Sequence, residues 1–233
     1  MSIFKKKFWR HLMNAELKKR IFTSLLLLIA MSLMFFYTYL LVGLLILLGV
    51  ICWIEFYGLI CKILKKETLK NKLLRFFYKA LSLIYLSLLI FFIFYVKSIK
   101  TELQVFIIYS LLVSIMSDIG GFTFGKFFKG MKLTKISPKK TVSGSIGSLI
   151  FSFMLIPIFF NNLNNDYNLL NIIIITILIS ITSQVGDLFI SLLKRKAKVK
   201  DTSDLLPGHG GVLDRVDGII FAIPIGFLLF YFT

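Results

Sequence analysis

Long apolar runs separated by short, lysine-rich connections constrain this chain more than any other feature. Seven stretches, roughly 21–37, 39–60, 79–96, 103–124, 145–160, 169–193 and 213–232, are apolar enough and about long enough to read as membrane spans. A bilayer core offers no water to unpaired peptide groups, so a span must be a helix or part of a closed barrel. The apolar residues come in continuous runs rather than alternating, which selects helices. The expected fold is all-α: a polytopic integral membrane protein with about seven transmembrane helices. Composition agrees, with 58% hydrophobic residues against about 45–50% in soluble domains.

A formal net charge of +17 raises the alternative of a nucleic-acid binder, and the placement of the charges argues against it. Residues 1–20 hold seven Lys or Arg, 61–80 seven, 126–140 six and 194–215 six, which leaves only Lys97 and Lys100 elsewhere. With seven spans these four basic segments share one side, as lysine and arginine do on the cytoplasmic face. The expected topology is a multi-pass membrane protein with its N-terminus and polar loops in the cytoplasm, its C-terminus outside and no nucleic-acid partner.

Residues 1–20 are basic and moderately apolar, without an evident cleavage site, and read as an interfacial helix. The connection 61–80, "CKILKKETLKNKLLRFFYKA", reads as an amphipathic segment along the cytoplasmic leaflet. Cys52 and Cys61 form no disulfide or metal pattern and read as small buried hydrophobes. With no repeats and no low-complexity linker, residues 1–233 form one membrane domain. Within it the interfacial helix is followed by N-terminal spans over 21–116, and polar chemistry is concentrated in 117–233.

An acid near the bilayer centre costs roughly 2.5–3.5 kcal/mol on insertion scales, so each one needs a reason. Glu55 lies near the end of its span, within reach of headgroups or a lysine. Asp118 begins "SDIGGFTFGKFFKG", whose glycines allow close helix packing or close approach to a ligand. Ser183, Asp187 and Ser191 fall at i, i+4 and i+8 on one helical stripe that leads to Lys194 and Arg195. Asp214 and Asp217, at i and i+3, share a face in the first turn of the last span, where the helix dipole also favours acids.

Three carboxylates from two helices, Asp187, Asp214 and Asp217, suit a hard, oxygen-ligated cation such as Mg²⁺. Lys139, Lys140, Lys194, Arg195, Lys200 and Arg215 would meet phosphate oxygens. Acids for a metal beside bases for phosphate point to phosphoryl or nucleotidyl transfer. No Walker A loop or GxGxxG motif is present.

Residues 191–217, "SLLKRKAKVKDTSDLLPGHGGVLDRVD", resemble the signature of the phosphatidate cytidylyltransferases, also called CDP-diacylglycerol synthases. Matching positions include Ser191, Lys194, Arg195, Lys200, Asp201, Pro207, His209, Gly210, Gly211, Asp214, Arg215 and Asp217. Upstream, "SPKKT" at 137–141 followed by Gly144 and Gly147, "SQVGD" at 183–187, and Asp118 with Gly125 and Lys126 resemble further family segments. The resemblance spans about 117–217. Ser143 stands where the family commonly has glutamate and Ser148 where it has glycine. The chain is also shorter than many bacterial members.

The resemblance implies transfer of CMP from CTP to phosphatidic acid, giving CDP-diacylglycerol and pyrophosphate. Asp187, Asp214 and Asp217 would hold Mg²⁺, a second cation being compatible, and Lys194 and Arg195 would act in catalysis. Asp118, Ser137, Lys139, Lys140, Thr141, Lys200, His209, Gly210, Gly211 and Arg215 would bind substrate phosphates. The partners implied are CTP, phosphatidic acid, membrane lipid and, as an allowed assembly, a second copy of the chain. Competing readings are a CTP-dependent enzyme acting on another lipid phosphate or an isoprenoid alcohol, an ion-coupled transporter, and an inactive scaffold.

Overall fold

A computed structural model describes residues 37–98, 103–134, 137, 140–163, 167–206 and 210–232. Numbered from the first described helix, the elements are α1 (Thr38–Ile63), α2 (Leu69–Ser98), α3 (Gln104–Phe128), α4 (Val142–Phe153), α5 (Ile156–Leu163), α6 (Leu169–Lys196), α7 (Leu213–Val216) and α8 (Ile219–Phe232). Two pairs, α4 with α5 and α7 with α8, each make one interrupted span, so six apolar helical segments are long enough to cross a bilayer. They coincide with six of the seven expected spans. The protein is an all-α, multi-pass membrane protein. The expected span 21–37 and the interfacial helix 1–20 lie outside the described residues.

The connection 61–80 differs from its expected form. Ile63 ends α1, and α2 starts at Leu69 and runs unbroken into the membrane for 30 residues. Nothing between Leu69 and Ser98 breaks a helix, and the Thr68 hydroxyl accepts the Asn71 N–H at 3.4 Å where the helix begins. Thirty residues reach about 45 Å at 1.5 Å each, beyond a hydrocarbon core of about 30 Å. The basic first turns of α2 therefore project out of the bilayer rather than forming a separate surface segment. Glu67, in the tight turn before them, pairs with Lys72 and Arg75 of the helix, both at 3.3 Å, and these hold its exposed carboxyl below the usual range.

The span 142–163 breaks at Met154–Leu155, where two N–H groups bond three residues back, to Phe151 and Ser152 carbonyls, and Pro157 follows in the first turn of α5. Pro224 sits inside α8. Proline carries no N–H, so the carbonyl four residues earlier loses its helical donor. The Tyr85 hydroxyl of α2 supplies the replacement, donating to the Ile220 carbonyl at 2.8 Å.

Helices α3, α4, α6 and the last span form the packed centre. Between α3 and α4 the contact is made by glycines: a Cβ at Gly120 would fall 2.8 Å from the Gly147 carbonyl carbon, and one at Gly144 would fall 2.8 Å from the Gly121 oxygen. Lipid offers no hydrophobic drive for helix association, so close backbone approach and hydrogen bonds must hold such a pair. Between α3 and α6 the bonds are hydroxyl pairs: Tyr109 with Thr176 at 2.6 Å, Ser114 with Ser183 at 2.7 Å and Ser117 with Ser180 at 3.0 Å. Apolar clusters flank this seam. One is built around Tyr109, Ile172, Ile179 and Phe230, the other around Leu59, Ile190, Leu193 and Leu213.

Candidate functional site

Because the spans alternate in direction, the basic connections 64–68, 129–141 and 197–212 emerge at the same end of the bundle. Below the second of them, α3, α4 and α6 enclose a cavity of about 350 Å³. Its lining includes Ser117, Asp118, Ser137, Lys140, Thr141, Gln184, Asp187 and Ser191. The loop over it folds back on itself. Leu133 N–H donates to the Lys140 carbonyl at 2.8 Å, Lys140 N–H to Ser137 at 3.0 Å and Val142 N–H to Met131 at 3.0 Å. Thr141 then caps α4, its hydroxyl accepting the Gly144 N–H at 3.1 Å. That turn aims Lys140 across the cavity, where its ammonium pairs with the Asp187 carboxylate. The Ser191 hydroxyl, one turn along α6, donates to the same carboxylate at 3.3 Å.

Asp217 joins this group through two glycines. A Cβ on Gly186 would lie 2.8 Å from the Asp217 carbonyl, and one on Gly218 would lie 2.5 Å from the Ser183 hydroxyl. Only bare backbone at both positions lets α6 and the last span come this close, which sets Asp187 beside Asp217. Asp217 is buried in the break between α7 and α8, with its own carboxylate accepting the Gly218 N–H at 2.9 Å. Its carboxyl interacts directly with that of Asp187 and also senses Asp118. Asp118 in turn faces Asp187 and Lys140 electrostatically. Three acids from three spans thus lie close together, and Lys140 pairs with one of them, Asp187.

Asp214 is placed elsewhere. Its Oδ1 pairs with Lys194 Nζ at 2.5 Å, and its Oδ2 accepts from Thr202 N–H at 2.8 Å, the Thr202 hydroxyl at 3.0 Å and Gly211 N–H at 3.1 Å. With all of these donors on it, Asp214 fastens the 201–211 loop to α6. Lys194 is likewise occupied as its half-buried partner.

The glycines of this loop serve closure. Gly210 has φ +82°, and its N–H and carbonyl bond back to Leu206 at 3.2 and 2.9 Å. A Cβ on Gly211 would lie 2.7 Å from a Glu55 carboxylate oxygen. Arg195, Lys200 and Arg215 are exposed at this end of the bundle. Lys139 and His209 lie outside the described residues.

Glu55 meets neither headgroups nor a lysine. It is buried and accepts four hydrogen bonds from the polar loop and the start of α7. Its isolation as an acid in an apolar run was the available signal; partners about 150 residues away were not readable. Gln184 and Ser145, joined at 2.5 Å across the cavity wall, were also missed.

Among the described residues no three His, Cys, Asp or Glu side chains form a ready-made metal cage. The donor chemistry nevertheless fits Mg²⁺, which keeps several waters and takes one or two carboxylates together with substrate phosphates. Asp187 and Asp217 lie side by side, Lys140 is bonded to Asp187, and two neighbouring carboxylates in a membrane favour a bound cation.

The Cytidylyltransferase family matches residues 6–233. A phosphatidate cytidylyltransferase of Staphylococcus haemolyticus is 42% identical over 123 residues, covering 52% of this chain and 46% of that protein. That of Haemophilus influenzae is 40% identical over 131 residues, covering 54% and 45%. That of Bacillus subtilis is 34% identical over 155 residues, covering 66% and 58%. The chain spans about half the length of the curated relatives it matches. With the family match running over nearly its whole length, the chain belongs to the cytidylyltransferase family.

Proposed function

We propose that the protein transfers CMP from CTP to phosphatidic acid, releasing pyrophosphate and forming CDP-diacylglycerol at the surface of a bacterial cytoplasmic membrane. The observation that carries this reading is the Lys140–Asp187 pair. It brings a basic, phosphate-suited loop onto an acid group at the membrane boundary, where a soluble nucleotide can meet a lipid headgroup. Family membership and the names of the relatives support the same substrates.

The chemistry needs no protein nucleophile. An oxygen of the lipid phosphate attacks the α-phosphorus of CTP in line, one P–O bond forms, and the bond to the β-phosphate breaks with its electrons leaving on pyrophosphate. Bound Mg²⁺, held by Asp187 and Asp217 with Asp118 close by, would supply charge stabilisation for the leaving group. The chain's own residues orient and shield. Lys140 offers its ammonium to a phosphate oxygen, leaving Asp187 free for a cation. Ser137 and Thr141 line the phosphate end of the cavity, and Ser117, Ser145 and Gln184 line its wall. Asp214 and Lys194 hold the signature loop over the acids. Positioning and fixed charge are the main means of catalysis in such transfers.

The test is direct. Purified protein receives phosphatidic acid, Mg²⁺ and labelled CTP, beside an Asp217→Asn variant. Labelled lipid and pyrophosphate from the wild type, absent with the variant, are the expected result. Transfer of label to an isoprenoid alcohol instead, or no transfer to any lipid phosphate, overturns the substrate assignment.

A further inference from the structure

We infer that Glu55, on the first described span and outside the 117–217 stretch that carries the family resemblance, is a positioning residue that sets the active conformation of the 201–217 segment. The inference rests on the transfer reaction proposed above. Both carboxylate oxygens of Glu55 are fully used. Oε1 accepts the Ser203 hydroxyl at 2.5 Å and Val212 N–H at 3.1 Å. Oε2 accepts the Thr202 hydroxyl at 2.9 Å and Leu213 N–H at 2.8 Å. A carboxylate has about four lone-pair sites, so one side chain accepts from two hydroxyls and two backbone groups.

Those four donors are well chosen for control. Val212 and Leu213 are the residues at which the last span begins, and Asp217 stands one turn further on. The Thr202 hydroxyl lies within reach of both Glu55 and Asp214. It has one proton to give, so the two acids grip the loop from opposite sides through a shared group. Gly211 leaves no room for a side chain between Glu55 and Thr202. None of the four hydrogen-bond partners of Glu55 lines the cavity of Lys140 and Asp187. Its effect must therefore pass through the placement of Asp217.

This separation defines the experiment. In Glu55→Gln the amide keeps one acceptor oxygen and turns an NH₂ group towards two donors, so the loop must shift. Turnover per folded molecule is expected to fall about 10–100-fold, as when groups supporting a site's ligands are removed. The KM for CTP should stay within about threefold of wild type, because the cavity that takes the nucleotide is untouched. Thr202→Val, which removes one donor while keeping the side chain's shape, should lower kcat severalfold, and Thr202→Ser should restore it.

These rates are measured on monodisperse protein in lipid nanodiscs, with melting temperature followed in parallel. A Glu55→Gln protein that melts lower yet turns over normally when folded would make Glu55 a stabilising contact only, and overturn the inference. So would wild-type kcat in Thr202→Val, should the glutamate variant fail to fold. A wild type that makes no nucleotidyl lipid removes the proposed reaction, and the inference falls with it. Activity in the wild type with no kcat effect in either variant removes this inference alone.

Discussion

Lys194 and Asp214 meet at 2.5 Å at the half-buried junction of α6 and the 201–211 loop, and each is the other's charge partner. Removing one member of a fully buried pair costs about 3–5 kcal/mol, because the remaining charge is left uncompensated, and this half-buried pair should lose less than that. Asp214→Asn is expected to lower the melting temperature and activity together. Thermal unfolding in detergent, read beside the rate, checks this: loss of activity at an unchanged melting temperature would put Asp214 in the chemistry rather than in the scaffold.

Asp187→Asn and Asp217→Asn should behave in the opposite way. Neither anchors the 201–211 loop, so the fold should persist while turnover drops about 10²–10³-fold, the range for losing one preorganised charge in a transfer site. Chelation of divalent ions should stop the wild type, and added Mg²⁺ should restore it. The measurement is the initial rate of labelled lipid formation against Mg²⁺ concentration for all three proteins.

The bond from Tyr85 to Ile220 predicts a coupling across the bundle. Tyr85→Phe leaves the Ile220 carbonyl without a donor in an apolar setting, at about 1–3 kcal/mol. Pro224→Ala restores the missing helical N–H, and in that background Tyr85→Phe should cost close to nothing. A double-mutant cycle on unfolding free energies reads the difference; additive costs would show that the tyrosine does not serve the proline gap.

Glycines in the same fold should respond oppositely to alanine. At Gly144 an added Cβ would meet the Gly121 oxygen at 2.8 Å, whereas at Gly43 nothing lies within 4 Å. Gly144→Ala should destabilise by about 1–3 kcal/mol through overpacking of α3 against α4. Gly43→Ala, inside α1, should be neutral or stabilising by roughly 0.5–1 kcal/mol. Melting temperatures of the two variants decide.

Apolar runs announce spans, so 39–60 and 169–193 lie close to Thr38–Ile63 and Leu169–Lys196. Hydropathy does not announce an interruption inside a run. The breaks at Met154–Leu155 and Asp217–Gly218 are hidden by apolar neighbours, although Pro157 and Gly218 mark them in retrospect. The spacing of Asp214 and Asp217 does not announce their partners either: Asp214 is taken up by Lys194, Thr202 and Gly211, while Asp217 meets Asp187. Nor could local pattern reveal that Glu55 reaches Thr202 and Leu213, since that contact depends on how α1 packs against the far end of the sequence.

The hydroxyl pairs between α3 and α6 have a consequence for how the protein meets membranes of different thickness. Ser114 and Ser183 each stand one turn before an acid, Asp118 and Asp187, so the two helices run in the same direction with matched offsets. Sliding one past the other by a turn, about 5.4 Å, would break the bonds of Tyr109, Ser114 and Ser117 at once. Hydrophobic mismatch can be met by tilt or by local deformation of the lipid. For α3 and α6 the inexpensive response is to lean as a unit, which keeps Asp118 level with Asp187 in thick and thin bilayers alike.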